Sequence, residues 1–186
     1  MKPTIITIAG ALGSGKSSTA RRVAEKLGYK HFSSGDLFRA KAHERGVTIE
    51  EINHQAELEH EIDKAVDEEL RRMGDESHLV IDSRLAFHWI PHSFKVYLAL
   101  DPKVGAARIH NQIITEGRKS QARESVDDIY QNTLKRLQSE KKRFNNLYNI
   151  DPRDTSAFDL VVDTETNNLD QVVETVLTHY NEWLSS

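Results

Sequence analysis

The sequence predicts an α/β fold of three layers, with a five-stranded parallel sheet between two layers of helices. Five short segments rich in apolar and β-branched residues alternate along the chain with longer segments of helical periodicity. The first of the short segments runs directly into a glycine-rich turn that opens a helix. Short strands of the buried type, separated by helices, are typical of parallel sheets that are covered on both faces.

The strands and helices follow from these patterns in chain order. The predicted strands are Thr4–Ala9, Lys30–Ser33, Leu79–Ile81, Phe94–Leu100 and Phe158–Val162. The predicted helices are Lys16–Leu27, Asp36–Glu44, Thr48–Met73, Pro102–Ile114, Val126–Leu147 and Leu169–Leu184. Two helix starts carry clear signals, because Thr48 and Glu51 form a capping box and Asp101 precedes a proline at the first helical position.

Length and composition indicate one domain over residues 1–186 and exclude several classes of protein. The net charge of −4 argues against an extended nucleic-acid surface, and the absence of cysteine excludes disulfides and thiolate-bound metals. No apolar stretch approaches the ~20 residues of a membrane span. Met1-Lys2-Pro3 leaves no room for a cleavable signal before the first strand. We expect a cytoplasmic monomer or small homo-oligomer that binds neither nucleic acid nor membrane.

A complete G-x-x-x-x-G-K-S motif, Gly10-Ala11-Leu12-Gly13-Ser14-Gly15-Lys16-Ser17, follows the first strand. Between a strand and a helix this pattern predicts a P-loop, whose backbone amides and helix N-terminus bind the phosphates of a nucleoside triphosphate. Lys16 is long enough to reach the β- and γ-phosphates, and Ser17 offers a hydroxyl to Mg²⁺. The motif therefore predicts a nucleotide site that extends from Gly10 to Ser18.

Polar residues that follow the second and third strands predict a second phosphate site beside the P-loop. Ser34, Asp36 and Arg39 come after the second strand. Ser34 or Asp36 also fits an ordinary helix cap, and Arg39 fits either a phosphate ligand or the partner of a surface carboxylate. Asp82 and Arg84 follow the third strand, at the edge where α/β sheets bind ligands. Asp82 has the placement of an acid linked to Mg²⁺, although a strand-end carboxylate also caps turns.

A long helix carries Arg136, Glu140 and Arg143, whose spacings of four and three residues place them on one face. This set fits either a phosphate site or an exposed ladder of ion pairs. Two further regions also have two interpretations. Thr48–Arg72, a charged stretch with an apolar stripe, forms an amphipathic surface helix or a flap over a second substrate. Thr115–Glu124, with Arg118, Lys119 and Arg123, forms a solvated basic loop or a closing lid.

Taken in order, these motifs resemble the cytidylate kinase-like nucleoside monophosphate kinases, in the compact form of that family. The matching pieces are the P-loop, Ser34-Gly35-Asp36-x-x-Arg39, Asp82-Ser83-Arg84-Leu85-Ala86, Arg136-x-x-x-Glu140-x-x-Arg143-Phe144, Tyr148-Asn149-Ile150-Asp151 and Phe158-Asp159-Leu160-Val161-Val162-Asp163-Thr164. The resemblance extends over most of the chain. It departs from the family at Ser83, where a glycine is usual, and this departure bears on the identity of the acceptor.

The resemblance implies a role for each matched position. The donor triphosphate would lie on Gly10, Ala11, Leu12, Gly13, Ser14, Gly15, Lys16, Ser17 and Ser18. The acceptor nucleotide would be bound by Ser34, Asp36, Arg39, Arg84, Glu140 and Arg143, with Glu140 near its sugar. Arg118 and Arg123 resemble the lid arginines that reach the transferring phosphoryl group. Residues ~40–75 would be the helical acceptor-binding subdomain and residues ~113–125 the lid.

These implications predict phosphoryl transfer from ATP, with Mg²⁺ on Ser17 and Asp82, to a nucleoside monophosphate such as CMP or dCMP. The groups expected to promote the transfer are Lys16, Arg84, Arg118, Arg123 and Arg143. Two alternatives stay open. One is a P-loop kinase for another small acceptor, such as AMP, shikimate or a cofactor precursor. The other is a regulatory protein that binds nucleotide without transferring phosphate.

Overall fold

The computed structural model describes residues 3–48, 51, 52, 55, 56, 61–115 and 124–186. Its strands are β1 Ile5–Gly10, β2 Lys30–Ser33, β3 Leu79–Asp82, β4 Phe94–Ala99 and β5 Leu160–Asp163. They form one sheet in the order β2-β3-β1-β4-β5, and every neighbouring pair in it is parallel. The predicted α/β class with a five-stranded parallel sheet is confirmed.

Seven α-helices lie in the described part of the chain: α1 Lys16–Leu27, α2 Ser34–Arg45, α3 Glu61–Met73, α4 Ala86–Trp89, α5 Pro102–Thr115, α6 Val126–Tyr148 and α7 Leu169–Ser185. The short helix α4 was not predicted, since four residues are too few to show a period. β5 begins two residues later than predicted, because the amide of Phe158 donates to Thr155 and closes the 3₁₀ turn Thr155–Ala157.

The two faces of β1 pack against different helical layers, as alternation along a strand requires. Ile6 and Ile8 belong to a buried cluster that contains residues of α1 and α7, among them Val23 and Val176. Ile5 lies in a second cluster together with Leu70 of α3 and residues of α4. The sheet is therefore covered on both sides, which gives the three predicted layers.

The segment between β2 and β3 has a small core of its own. Ala42, Ile52, Ala56 and Ile62 are buried together, and Phe38 packs against both this cluster and the second main cluster. The apolar residues Ile52, Ala56 and Ile62 of this charged segment are thus buried. The predicted capping box is present, since Glu51 N donates to Thr48 Oγ1 (3.1 Å) and Thr48 N donates to Glu51 (2.7 Å).

The predicted lid falls largely on residues 116–123, which lie outside the described residues together with Arg118 and Arg123. None of the described helices is both long enough and apolar enough to cross a membrane.

Candidate active site

The carboxyl ends of β1, β2 and β3 meet at one edge of the sheet. Asp82, the last residue of β3, is in register with Ile8 of β1 and with Ser33 of β2. A cavity of about 230 Å³ opens there, between the P-loop and the helices α2, α3 and α6. In open parallel sheets this edge is where ligands bind.

The glycine-rich turn of the P-loop ends at Gly15, which precedes α1 with a left-handed backbone (φ 82°). Because glycine has no side chain, no side chain caps the helix, and its first amides are left for a ligand. Ala11 O accepts hydrogen bonds from Ser14 Oγ and from Lys16 Nζ, both at 2.8 Å. These two bonds hold the loop in a closed turn over the end of β1.

Backbone packing also fixes the loop from below. A Cβ on Gly13 would lie 2.6 Å from the carbonyl oxygen of Gly105, and a Cβ on Gly105 would lie 2.4 Å from Leu12 O. Contacts this short leave room for glycine alone at both positions. The start of α5 therefore lies directly against the P-loop backbone.

The surroundings of Lys16 lower the pKa of its ammonium group. Withdrawal of its ammonium group from water, reinforced by the positive charge of Arg84, lowers the pKa of Lys16 from 10.5 to about 7. The carboxylates of Asp82 and Glu140 oppose this shift but do not cancel it. An anionic ligand on the loop would restore the charge by raising the pKa again.

Ser17 and Asp82 form a polar pair beside Lys16. Ser17 Oγ donates a short hydrogen bond to Asp82 Oδ2, and Ser33 Oγ donates to the same oxygen at 3.3 Å. Mg²⁺ in phosphate-transfer sites takes one or two protein oxygens and completes its shell with phosphate and water. A hydroxyl and a buried carboxylate next to the lysine of a P-loop fit that ligand set.

Glu140 holds two of the arginines in place. Its carboxylate oxygens lie 3.1 Å from Arg84 Nε and 2.9 Å from Arg136 Nε. Arg84 also donates to the carbonyl oxygen of Gly10, which ties it to the P-loop. Burial alone would raise the pKa of Glu140, but the two guanidinium groups outweigh it and lower the pKa. Glu140 is therefore an ionised clamp between the arginines.

Arg143 and Asp63 form a buried ion pair between α6 and α3. Arg143 Nε lies 3.2 Å from Asp63 Oδ2, and the two side chains are only 4% and 5% exposed. Both residues line the cavity. The exposed ladder considered for this face of α6 does not extend to Glu140 and Arg143, which are both buried, although Arg136 does pair with Glu140 along the helix.

A second carboxylate on α3, that of Asp67, lies one helical turn beyond Asp63. Trp89 Nε1 donates to Asp67 Oδ1 at 2.8 Å, and Tyr148 OH donates a short bond to Asp67 Oδ2. Burial raises the pKa of Asp67 despite these two donors, and burial together with the Asp67 carboxylate raises the pKa of Tyr148. Asp67 lines the cavity and connects α3 with α4 and α6.

Most of the residues predicted for the site are brought together. The predicted residues that line this same cavity are Leu12, Lys16, Ser17, Ser34, Arg39, Asp82, Arg84, Glu140 and Arg143. Gly10, Ala11, Gly13, Ser14 and Gly15 form the adjoining loop. Ser83 is buried and also lines the cavity, so a side chain does stand at the position where the related family has glycine.

The structure does not bring Asp36 or Ser18 to the cavity wall. Asp36 forms an exposed ion pair with Arg39, whose Nε donates to it at 3.1 Å. Ser18 is exposed on the first turn of α1. The roles predicted for these two residues stay predictions.

Two cavity residues that the sequence did not point to are Asp63 and Asp67. Asp63 lies three residues before Val66, and Asp67 lies three residues before Leu70, so the two acids share the buried face of α3 with apolar residues. An acid at a position of the helix that is otherwise apolar is the signal that could have identified these two residues. It is hard to recognise here because the whole segment is highly charged.

Comparison with known proteins agrees with this geometry. A family model described as an AAA domain matches residues 9–127. Among solved structures, a shikimate kinase from Bacteroides thetaiotaomicron has a TM-score of 0.61 at 15% identity and covers 98% of this chain and 99% of its own. A gluconokinase from Sinorhizobium meliloti has a TM-score of 0.60 at 18% identity, with coverage of 100% and 98%. These two likenesses establish the fold.

Relatives with closer sequences are cytidylate kinases. The cytidylate kinase of Pyrococcus furiosus is 36% identical over 161 residues, which cover 86% of this chain and 79% of that one. The cytidylate kinase of Archaeoglobus fulgidus is 34% identical over 174 residues, which cover 92% of each chain. Since such identities extend over most of both chains in each case, the protein belongs to the cytidylate kinase family.

Proposed function

We propose that the protein transfers the γ-phosphoryl group of ATP to CMP or dCMP, with Mg²⁺, and releases ADP and the nucleoside diphosphate. One observation carries this proposal. Among the described residues, Lys16 of the P-loop and four guanidinium groups line the same cavity. These groups belong to Arg39, Arg84, Arg136 and Arg143. Such an arrangement fits two phosphate-bearing ligands placed end to end.

The chemistry of phosphoryl transfer explains why cations and not a base are needed. The transition state is loose, with negative charge spread over the equatorial oxygens, so positioning and charge stabilisation supply most of the catalysis. An oxygen of the acceptor phosphate is already a nucleophile and needs no base to deprotonate it. Guanidinium groups bind such oxygens in fixed, often bidentate geometry. The side chains of this cavity match those requirements.

The carboxylates of the cavity keep the arginines ready for this task. Glu140 holds Arg84 and Arg136, and Asp63 holds Arg143. Side chains fixed in this way lose little conformational entropy when an acceptor phosphate binds. Arg84, which also touches Gly10 O, is the guanidinium that we place at the junction of donor and acceptor.

Ser17 and Asp82 are the residues that would hold Mg²⁺. When bound, the ion neutralises charge on the phosphate oxygens. Asp82 is buried and accepts from Ser17 and Ser33, so its carboxylate has a defined orientation toward the P-loop. Arg118 and Arg123, the lid and the helical subdomain keep their predicted roles within this proposal. The cytoplasmic location and the oligomeric state also stay predictions.

The test is ADP formation from ATP·Mg²⁺ in the presence of CMP, dCMP, UMP, AMP or GMP. We expect CMP or dCMP to stimulate ADP release most strongly. Arg84→Ala should lower kcat/KM for the acceptor by roughly 10²–10³-fold, because it removes a positioned charge from the site. Arg72→Ala is the matched control, since Arg72 is an exposed arginine paired with Glu69 and Glu76.

Two results would contradict the proposal. If ATP binds but no monophosphate stimulates turnover, the protein is a nucleotide-binding regulator. If AMP or a non-nucleotide acceptor such as shikimate is preferred over CMP by more than tenfold, the kinase has a different substrate.

A further inference from the structure

The cavity has walls of different chemistry. Near the P-loop it presents Lys16, Arg84 and other charged groups that suit phosphate. The wall formed by α3 instead presents the apolar side chains of Val66 and Leu70 together with the carboxylate of Asp67. A nucleobase has apolar faces and a polar edge, so the α3 wall matches a base where the P-loop wall matches phosphate.

The Asp67 carboxylate is held rigidly. Its two oxygens accept from Trp89 Nε1 (2.8 Å) and from Tyr148 OH, which reach it from α4 and α6. The side chain of Asp67 is buried, with a residue exposure of 5%. A carboxylate oxygen offers two acceptor positions, so each oxygen keeps one for a ligand in the cavity.

Asp63 and Asp67 differ in what opposes their charge. The guanidinium of Arg143 pairs with Asp63 at 3.2 Å, whereas the donors to Asp67 are a neutral indole and a neutral phenol. Although the charge of Arg71 also acts on Asp67, the remaining acceptor position on each oxygen stays available to a ligand. The carboxylate attracts N–H groups and repels carbonyl oxygens.

Cytosine and uracil differ in the exocyclic group that could hydrogen-bond to such a carboxylate. Cytosine carries an exocyclic amino group, which donates hydrogen bonds, and uracil carries a carbonyl oxygen there. We propose that Asp67 determines base specificity by accepting a hydrogen bond from the amino group of the acceptor base, so that cytosine is selected over uracil. This inference rests on the proposed phosphorylation of a nucleoside monophosphate.

The experiment compares kcat/KM for CMP and for UMP in the full chain, in Asp67→Asn and in Glu68→Gln. Asparagine keeps an acceptor oxygen for Trp89 and offers an amide N–H to the carbonyl of uracil. We expect the ratio of kcat/KM for CMP to that for UMP to fall by about 10–100-fold, the range that corresponds to leaving a buried polar group without its hydrogen bond. The KM for ATP should stay within twofold. Glu68→Gln makes the same chemical change at an exposed position of α3 and should leave the ratio unchanged.

Each outcome decides the matter. A wild-type protein that phosphorylates CMP and UMP equally well, or a variant in which both acceptors lose activity by the same factor, overturns the role of Asp67 and leaves the proposed function standing. A wild-type protein without acceptor-dependent turnover overturns both. Should Asp67→Asn fail to fold, Asp67→Ser removes the carboxylate and with it the selective attraction for N–H groups. It must then lower the CMP to UMP ratio at least threefold, and an unchanged ratio contradicts the inference.

Discussion

Lys16 couples nucleotide binding to protonation. In the free protein its pKa is about 7, so near neutral pH a large fraction of the side chain is uncharged. A bound triphosphate raises this pKa, and binding therefore takes up a proton at pH values between the two pKa values. We expect the affinity for ATP·Mg²⁺ to fall as pH rises above 7, by at most about tenfold per pH unit. Calorimetric titrations at pH 6 and pH 8.5, in buffers of different ionisation enthalpy, measure the uptake directly. Constant affinity with no proton uptake at pH 8.5 would contradict the expectation.

The same lysine makes the fold less stable than it could be. Its pKa is about 7 when folded and 10.5 when unfolded, so the unfolded chain binds more protons between these values. Stability is therefore reduced below pH 7 and recovers as pH rises. We expect Lys16→Met to abolish phosphoryl transfer yet raise the free energy of unfolding at pH 6 by on the order of 2 kcal/mol. Urea unfolding at pH 6 and pH 9 tests this, since the advantage must shrink at the higher pH. A variant less stable than the wild type at pH 6 would refute it.

Single residues differ in how far the sequence predicts them. The P-loop could be identified because its residues are contiguous and its motif is specific. Asp67 could not, because its donors Trp89 and Tyr148 are 22 and 81 residues away along the chain. A carboxylate whose partners are this distant looks in the sequence like any other acid on a charged helix.

Between elements, the buried pair of Arg143 and Asp63 connects α6 with α3. Removal of one partner takes an opposite charge away from a buried charged group, and breaking a buried ion pair in this way typically costs about 3–5 kcal/mol. We expect Arg143→Ala to reduce both acceptor turnover and the free energy of unfolding by such an amount. The double variant Arg143→Met with Asp63→Leu should recover most of the stability and none of the activity. Equilibrium unfolding in urea provides the measurement. If Arg143→Ala is as stable as the wild type, the ion pair contributes to substrate turnover but not to the stability of the fold.

The contact between α5 and the P-loop gives another prediction at this scale. Glycine inside a helix is usually about 1 kcal/mol less favourable than alanine, so Gly105→Ala on an isolated helix would be stabilising. Here the new Cβ would lie 2.4 Å from Leu12 O and must displace the loop. We expect a roughly tenfold higher KM for ATP, because misplacement of a binding loop by a fraction of an ångström is costly, with the KM for CMP unchanged. Ala107→Gly in the same helix is the control, and it should lower stability without changing either KM. An unaltered KM for ATP in Gly105→Ala would show that the loop adapts.

The regular elements were predictable because their signals are local. Strands such as β1 and helices such as α1 and α6 carry periodicity or capping residues within their own length. The four-residue helix α4 has too few residues for a period, and it is fixed by burial of Ala86 and Phe87 against neighbouring elements.

For the molecule as a whole, the separate small core of the segment between β2 and β3 predicts two levels of stability. Ile52 is fully buried, but in the cluster with Ala42, Ala56 and Ile62 and not in the main cores. We expect Ile52→Ala to raise the KM for CMP and to speed hydrogen exchange in this segment, with little change in global Tm, since local units open independently. Val176→Ala in the main core should instead lower the Tm by several degrees, through a cavity cost of roughly 1–3 kcal/mol, and leave the KM for CMP unchanged. If the Tm falls by a similar amount in both variants, the small core and the main core unfold together as one cooperative unit.

The layered architecture could be predicted at this scale, whereas the α3 wall of the cavity could not. Alternation of strands and helices is visible along the chain and fixes a parallel sheet. The position of Asp63 and Asp67 opposite the residues of α6 depends on how the inserted segment folds back onto the sheet. That is a matter of tertiary packing, and no local pattern records it.

Arg84 donates to the first carbonyl of the phosphate loop and at the same time pairs with Glu140. A ligand that alters one of these contacts changes the energy of the other, so binding at the donor site changes the affinity of the acceptor site. Thermodynamic reciprocity then requires that whatever factor ATP exerts on the affinity for the monophosphate, the monophosphate exerts on the affinity for ATP. Through the Arg84 guanidinium, the affinity of the enzyme for each reactant would therefore depend on whether the other is bound.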